Sequence, residues 1–296
     1  MHKSSVYLPD ELKGALAEVA GRSGHSEADL IRKAIERLLS SAGNADDRVA
    51  PSPAAPVFAR PALLGVGVGP GDPGLITEKA KAALIDADRI IVLSTDPRSI
   101  GRAEMVVSSV APTSTIVRVS FVIAPDPAGR RASLRTVADE VLAAVDAGEL
   151  AVLALLGDPS QWTIFPELAA LVAAERPGLA VSAVPGITSY QAIAASTSMA
   201  LGRPGAPLVV TDEGSTLDAR LAEGHGCVVL YKASIDAHDL KAAAERHHRD
   251  HAVVGELLGL PGERLRPLAD TPDGPLSYLS TVVVPASAPA SVARPK

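Results

Sequence analysis

The chain has 296 residues, a single cysteine and a formal net charge of −6, which is length enough for two domains or for one two-lobed α/β domain with an appendage. The acidic balance gives no global attraction to nucleic acid, and the lone Cys227 excludes an internal disulfide framework and any C-x-x-C metal site and fits a reducing compartment. The opening "MHKSSVYLPDELKG" has no apolar signal-peptide core and no run of about 18 apolar residues follows, so a cytoplasmic chain without a membrane span is expected.

In chain order, residues 3–8, "KSSVYL", alternate: Val6 and Leu8 share one face, Lys3, Ser5 and Tyr7 the other, as in a strand. Pro9, Asp10 and Glu11 open a helix with Leu12, Leu16 and Val19 on one side, ended near Gly21 or Gly24. Ser26 with Asp29 makes a capping-box-like start, and Leu30, Ile31, Ala34, Ile35, Leu38 and Leu39 form the apolar stripe of a second helix. Such a strand-helix-helix piece, residues 1–40, cannot bury enough surface alone, so pairing with a second copy is expected. Over residues 2–40 it resembles the ribbon-helix-helix family of dimeric DNA-binding proteins. The resemblance implies that Lys3, Ser5 and Tyr7 enter a major groove and that His25 and Ser26, at a helix N-terminus, anchor a phosphate. Residues 1–40 hold six Lys/Arg and six Asp/Glu, whereas tight DNA binding draws on phosphate neutralisation. A dimerisation handle that touches no DNA therefore stands beside the DNA-binding reading.

Residues 41–61 are small, polar and proline-rich without a period of 2 or 3.6, and read as a flexible linker. Beyond it, strand-like "LLGVGV", "RIIVLS", "LAVLALL", "LAVSAVP", "PLVV", "CVVLY" and "AVVGEL" alternate with helical patterns near 75–86, 132–147, 165–175, 189–199 and 236–246. Apolar runs of this kind predict a mostly parallel sheet covered by helices. Residues 286–296 read as a disordered tail.

Residues 63–80, "LLGVGVGPGDPGLITEKA", run from a strand through a glycine turn into a helix. Gly69, Gly71 and Gly74 fit G-x-G-x-x-G, and Asp96 ends the next apolar run, as a dinucleotide fingerprint requires. A pyrophosphate cradle, however, needs successive backbone N–H groups. Pro70 and Pro73 have none, and the Asp72 carboxylate repels an anion. Two later turns also follow apolar strands. "LALLGDPSQWTIF" (153–165) places Gly157, Asp158 and Pro159 at a strand end, and "AVPGITSYQAIAA" (183–195) places Pro185 and Gly186 there, with Thr188 or Ser189 as helix N-cap. In an open parallel sheet ligands bind beyond the carboxyl ends of the strands, where these three turns would converge.

Together "GVGPGDPGLIT" (67–77), "GDPSQWTIF" (157–165), "VPGITSYQAIAA" (184–195), "VVLYKAS" (228–234) and "GPLSYLSTVVV" (274–284) resemble the tetrapyrrole methylase family. These are class III methyltransferases that use S-adenosyl-L-methionine (SAM), and the resemblance spans about 63–285. The last two blocks and "GDPS-x-aromatic-x-x-F" look most like the precorrin-2 C20-methyltransferase branch of cobalamin biosynthesis. The resemblance implies an α/β fold of two lobes, about 62–182 and 183–285, with a cleft between them; the homodimer expected of the chain comes from its N-terminal piece. It implies that Pro70, Leu156, Gly157, Asp158, Gln161, Thr188, Ser189, Tyr231 and Lys232 line the SAM cleft and that Asp72 faces the substrate as the catalytic candidate. The implied reaction is C20 methylation of precorrin-2 or cobalt-precorrin-2. The chain departs from the branch at Trp162, where a tyrosine is usual, at Ile164, where a threonine is, and at "VLST", where a proline-bearing turn is.

Methyl transfer asks the protein mainly for proximity, orientation and exclusion of water. The carboxylates on a precorrin's rim call for basic side chains at the pocket mouth, with Arg98, Arg102, Arg130, Arg131, Arg135 and Arg203 as candidates. In "ERHHRDH", His247 and His251 have an i, i+4 metal-binding spacing on a helix but lack a third ligand, and the neighbouring charges suggest an exposed face, so no metal is expected. Cys227, in an apolar run, reads as packing. A reading of a different class is a DNA-binding regulator whose methylase-like domain senses SAM or a tetrapyrrole; a further one keeps the fold with RNA, protein or peptide as acceptor.

Overall fold

The computed structural model describes residues 10–23, 25–33, 58–96, 98–122, 126–224, 226–231 and 235–286. The chain divides into two compact units, residues 1–55 and 56–296. In the first, helix α1 spans Asp10–Ser23 and residues 27–33 are helical. Ser26 starts that second segment: its Oγ accepts the Asp29 N–H at 3.2 Å and donates to Asp29 Oδ2 at 2.9 Å. The expected strand with Lys3, Ser5 and Tyr7, the helical stripe beyond residue 33, the linker to residue 57 and the tail from residue 287 lie outside the described residues.

The second unit is built on two five-stranded sheets. The first contains β1 (Ala62–Gly67), β2 (Arg89–Ser94), β3 (Ile116–Ser120), β4 (Leu150–Leu155) and β5 (Ala180–Val184), in the order β3-β2-β4-β1-β5, with every pairing parallel. The strands are joined by α2 (Glu78–Asp86), α3 (Arg102–Val110), α4 (Pro127–Asp146) and α5 (Phe165–Glu175). Because successive strand side chains point to opposite faces, Leu63, Ile91 and Leu153 pack with α4 and α5, whereas Leu64, Ile90 and Val152 pack with α2 and α3. Both faces are thus covered, which is why β1 and β4 are buried at every position. Ordered packing begins ahead of residue 62: Phe58 lies on this core and Arg60 bonds Asp88 at 2.6 Å and Asp86 at 3.2 Å.

After α6 (Ser189–Thr197) the second sheet uses β6 (Leu208–Thr211), β7 (Cys227–Tyr231), β8 (Val253–Glu256), β9 (Arg264–Pro267) and β10 (Thr281–Val284). Its order is β6-β7-β10-β8-β9, with α7 (Leu217–Ala222) and α8 (Ala237–Arg246) on one face and α6 on the other. Only β6 and β7 run parallel; the other pairs are antiparallel, so the expectation of a mostly parallel sheet holds for the first lobe and not for the second. The cause is connectivity. β8 and β9 are joined by a short loop, and β10 returns to fill the gap between β7 and β8, which no helix crossover precedes.

The histidine reading also changes. α8 ends at Arg246 and His248 has a left-handed backbone (φ 54°), so His247 and His251 do not share a helix face. His247 Nε2 instead meets Asp218 Oδ1 at 3.1 Å. Arg249, expected on an exposed face, is buried and donates to the carbonyls of Pro285 and Gly224.

Candidate active site

The three glycine turns meet at the carboxyl end of the first sheet. Gly157 N–H donates to the Gly69 carbonyl at 2.8 Å, forming an isolated bridge. A Cβ on Gly67 would lie 2.7 Å from Gly186 Cα, and one on Gly186 would overlap the Gly157 carbonyl. Only glycine lets these backbones approach so closely. Asp158 ties the second turn to the third: Oδ2 accepts the Gly186 N–H at 3.0 Å and Oδ1 the Ser160 N–H at 2.8 Å. Thr188 then starts α6 through a capping box, with Thr188 N–H donating to Gln191 Oε1 at 2.9 Å.

Between this edge and the second sheet lies a cavity of about 310 Å³. The first lobe contributes Pro70, Leu93, Phe121, Leu155, Leu156 and Gly157 to its wall; the second contributes Ser189, Tyr231, Leu257, Leu258, Leu260 and Thr281. Polar groups are few and set at fixed points, as in a small-molecule site. Ser189 Oγ is 2.7 Å from Thr281 Oγ1, and the Tyr190 hydroxyl donates to Gln161 Oε1 at 3.1 Å. Tyr231 packs against Trp162 with ring centroids 5.3 Å apart and edge-on to Tyr190 at 6.1 Å. Burial pushes the Tyr231 phenol above its ordinary value, with the Ser189 hydroxyl holding it partly back, so it remains a neutral hydrogen-bonding group.

The charged side chains lining the cavity are Arg102 and Arg130. Arg130 is matched by Glu167, Nη2 to Oε1 at 2.6 Å, and its charge also reaches Tyr278, whose phenol is raised by burial and drawn back by that arginine. Arg102 has no ion pair among the described residues and is exposed at the mouth. The cavity as a whole is an apolar slot with hydroxyls within and one unmatched cation at its rim.

Of the residues marked in the sequence, Pro70, Leu156, Gly157, Gln161, Ser189 and Tyr231 line this one cavity. Asp158 and Thr188 lie behind the wall, where their bonds fix the turns. Asp72 is exposed: Oδ1 accepts the Gly74 N–H at 2.7 Å and caps a short 3-10 turn, Pro73–Leu75. Lys232 lies outside the described residues. His25 and Ser26 belong to the other unit, both exposed, with Lys33 Nζ donating to His25 Nε2 at 3.0 Å. Asp96 accepts from the Arg98 N–H at 3.0 Å and its side chain at 3.1 Å, away from the cavity lining. Arg135 is occupied by Asp139 and Glu175, Arg131 is exposed, and Arg203 bridges to Ala206.

The sequence reading missed the loop between β8 and β9, although Gly259, Pro261 and Gly262 signal a turn after an apolar strand. That loop lies backbone to backbone against the first turn: a Cβ on Gly71 would meet the Leu258 carbonyl and one on Gly259 would meet Asp72 N. It carries Leu257, Leu258 and Leu260 into the cavity wall.

A precorrin-2 C(20)-methyltransferase of Sinorhizobium sp is 28% identical over 242 residues, covering 75% of this chain and 94% of that one. The structure of a cobalt precorrin-4 methyltransferase superposes with a TM-score of 0.56 at 20% identity, covering 75% of this chain and 94% of that one. Separately, 42 residues, 14% of this chain, are 48% identical to antitoxin VapB26 of Mycobacterium tuberculosis and span 59% of it. The family described as Tetrapyrrole (Corrin/Porphyrin) Methylases matches residues 62–271, so the chain belongs to that family, whose methyl donor is S-adenosyl-L-methionine.

Proposed function

We propose that the protein transfers a methyl group from SAM to C20 of precorrin-2 or cobalt-precorrin-2, as a step of cobalamin biosynthesis. The observation that carries this reading is that six residues marked by four separate motifs line one cavity; the named methyltransferase that matches across most of its length supplies the acceptor. SAM brings an activated methyl group on a sulfonium and leaves as S-adenosylhomocysteine. The cavity suits it: apolar walls for the adenosine, hydroxyls of Ser189 and Thr281 and the amide of Gln161 for its polar edges, beside a first turn in which Pro70 and Pro73 remove N–H donors that a phosphate, absent from SAM, would need. Pro70, Leu156 and Gly157 hold the donor against the sheet edge, with Asp158 and Thr188 fixing the turns that present them; Lys232, next in sequence to Tyr231, is the further donor contact that the family resemblance implies. Arg102 and Arg130 meet the acceptor's carboxylates, and Asp72 is the substrate-facing acid of the first turn. The protein's work is orientation and exclusion of water, not nucleophilic attack by a side chain. Purified protein supplied with SAM and precorrin-2, or its cobalt form, should yield S-adenosylhomocysteine and a product heavier by one methyl group. Absence of both products sinks the assignment.

For the N-terminal unit we infer a ribbon-helix-helix dimerisation module, on the strength of the antitoxin match and the Ser26 cap. Light scattering of the full chain should give a dimer mass. A gel shift with palindromic DNA at low salt decides whether Lys3, Ser5, Tyr7, His25 and Ser26 also touch DNA.

A further inference from the structure

A second, open depression of about 340 Å³ adjoins the 310 Å³ cavity, bounded by Ser160, Gln161, Trp162 and Val210. Gln161 and Trp162 line both spaces, so these two side chains are the wall between them. The wall is fixed from the second lobe. Gln161 accepts the Tyr190 hydroxyl at 3.1 Å, and the Trp162 indole stacks on Tyr231, tilted by 34°. Both tyrosines are buried. The Trp162 backbone is left-handed (φ 48°), a conformation that a bulky side chain keeps only where its surroundings over-determine it. Trp162 is only partly buried.

We propose that Trp162 is a specificity-determining residue: its indole closes the inner cavity against the outer depression and so sets the outline of the acceptor edge that reaches the methyl donor. This rests on the methyltransferase reading above. Size exclusion against one apolar wall discriminates a single methyl group by roughly 10- to 200-fold. Removing the indole opens the Trp162 half of that wall and erases the margin, while Gln161 and the donor's contacts on Pro70, Leu156 and Gly157 stay in place.

Trp162→Gly is the decisive variant, because glycine accepts the left-handed backbone without strain; Trp162→Phe restores an aromatic wall one ring smaller. The ratio of kcat/KM for precorrin-2 and for a tetrapyrrole carrying one more ring methyl is measured in each. The expected result is a ratio at least tenfold smaller in the glycine variant and largely restored by phenylalanine, in variants that calorimetry shows still bind S-adenosylhomocysteine. Trp162 is the sole tryptophan, so its emission in the wild type should also shift on S-adenosylhomocysteine binding. A ratio within twofold of wild type in a glycine variant that still binds S-adenosylhomocysteine overturns the proposal and leaves the methyltransferase reading standing. Failure of the wild type to bind S-adenosylhomocysteine removes both.

Discussion

Among single side chains, Arg102 gives the most direct test of the proposed reaction. It lines the cavity mouth without a carboxylate partner among the described residues, whereas Arg130 is already matched by Glu167. A charge-assisted hydrogen bond to an anionic substrate contributes about 1.5–3 kcal/mol, so Arg102→Met should raise the acceptor KM about tenfold or more. Affinity for S-adenosylhomocysteine should stay unchanged if Arg102 serves the acceptor and fall if it serves the donor's carboxylate. Cys227 makes a different kind of prediction. Burial pushes its thiol from the ordinary 9.0 to about 11, with Arg249 partly offsetting. The unfolded thiol ionises first, so its contribution to stability is intact below pH 9.0 and is lost as the pH climbs toward about 11. Urea midpoints measured from pH 8 to 11 should decline, and Cys227→Ala should flatten part of the slope; Tyr231 and Tyr278, raised in the same direction, keep the rest.

At the level of elements, the glycine turns act as one joint. Gly186→Ala would drive a Cβ into the Gly157 carbonyl and to 2.8 Å from Gly67 Cα. Overpacking of this kind costs about 1–3 kcal/mol, so melting should fall by several degrees and S-adenosylhomocysteine binding should weaken in calorimetry. These turns were legible because the residues that break strands, Gly and Pro, also recur in a fixed order. Strands β1, β2 and β4 were legible because they are buried on both faces and therefore uninterrupted. Edge strands β3 and β9 were not. β3 carries Arg118 within "IVRVS" and β9 reads "RLRP", so their apolar signal is halved by solvent-facing charges. Glu104 of α3 is buried yet acidic because Arg118 clamps it through two bonds of 2.6 Å, a tertiary contact that no local pattern contains. The Leu257–Leu260 wall of the cavity was missed for a related reason, since a loop's inward face is chosen by its packing partner.

At the scale of the whole molecule, every buried hydrophobic side chain among the described residues lies at or beyond Ala62, within the unit 56–296. A protein begun at residue 56 should therefore keep its melting temperature within about 3 °C and its affinity for S-adenosylhomocysteine, while losing the dimer mass if the N-terminal module provides it. A melting point far below that of the full chain would show that the second unit depends on the first. The parallel first sheet has one more consequence. β1 pairs with β4 in register from Ala62↔Leu150 and with β5 from Ala62↔Ala180, so its partners leave the ribosome long after it does. At about 5–20 residues per second, β1 waits roughly 5–20 s for β4, with six residues that end buried still seeking a neighbour. The nascent chain is thus most exposed to aggregation before its second half is translated, and its yield in a host should follow the supply of chaperones that shield an unpaired strand during synthesis.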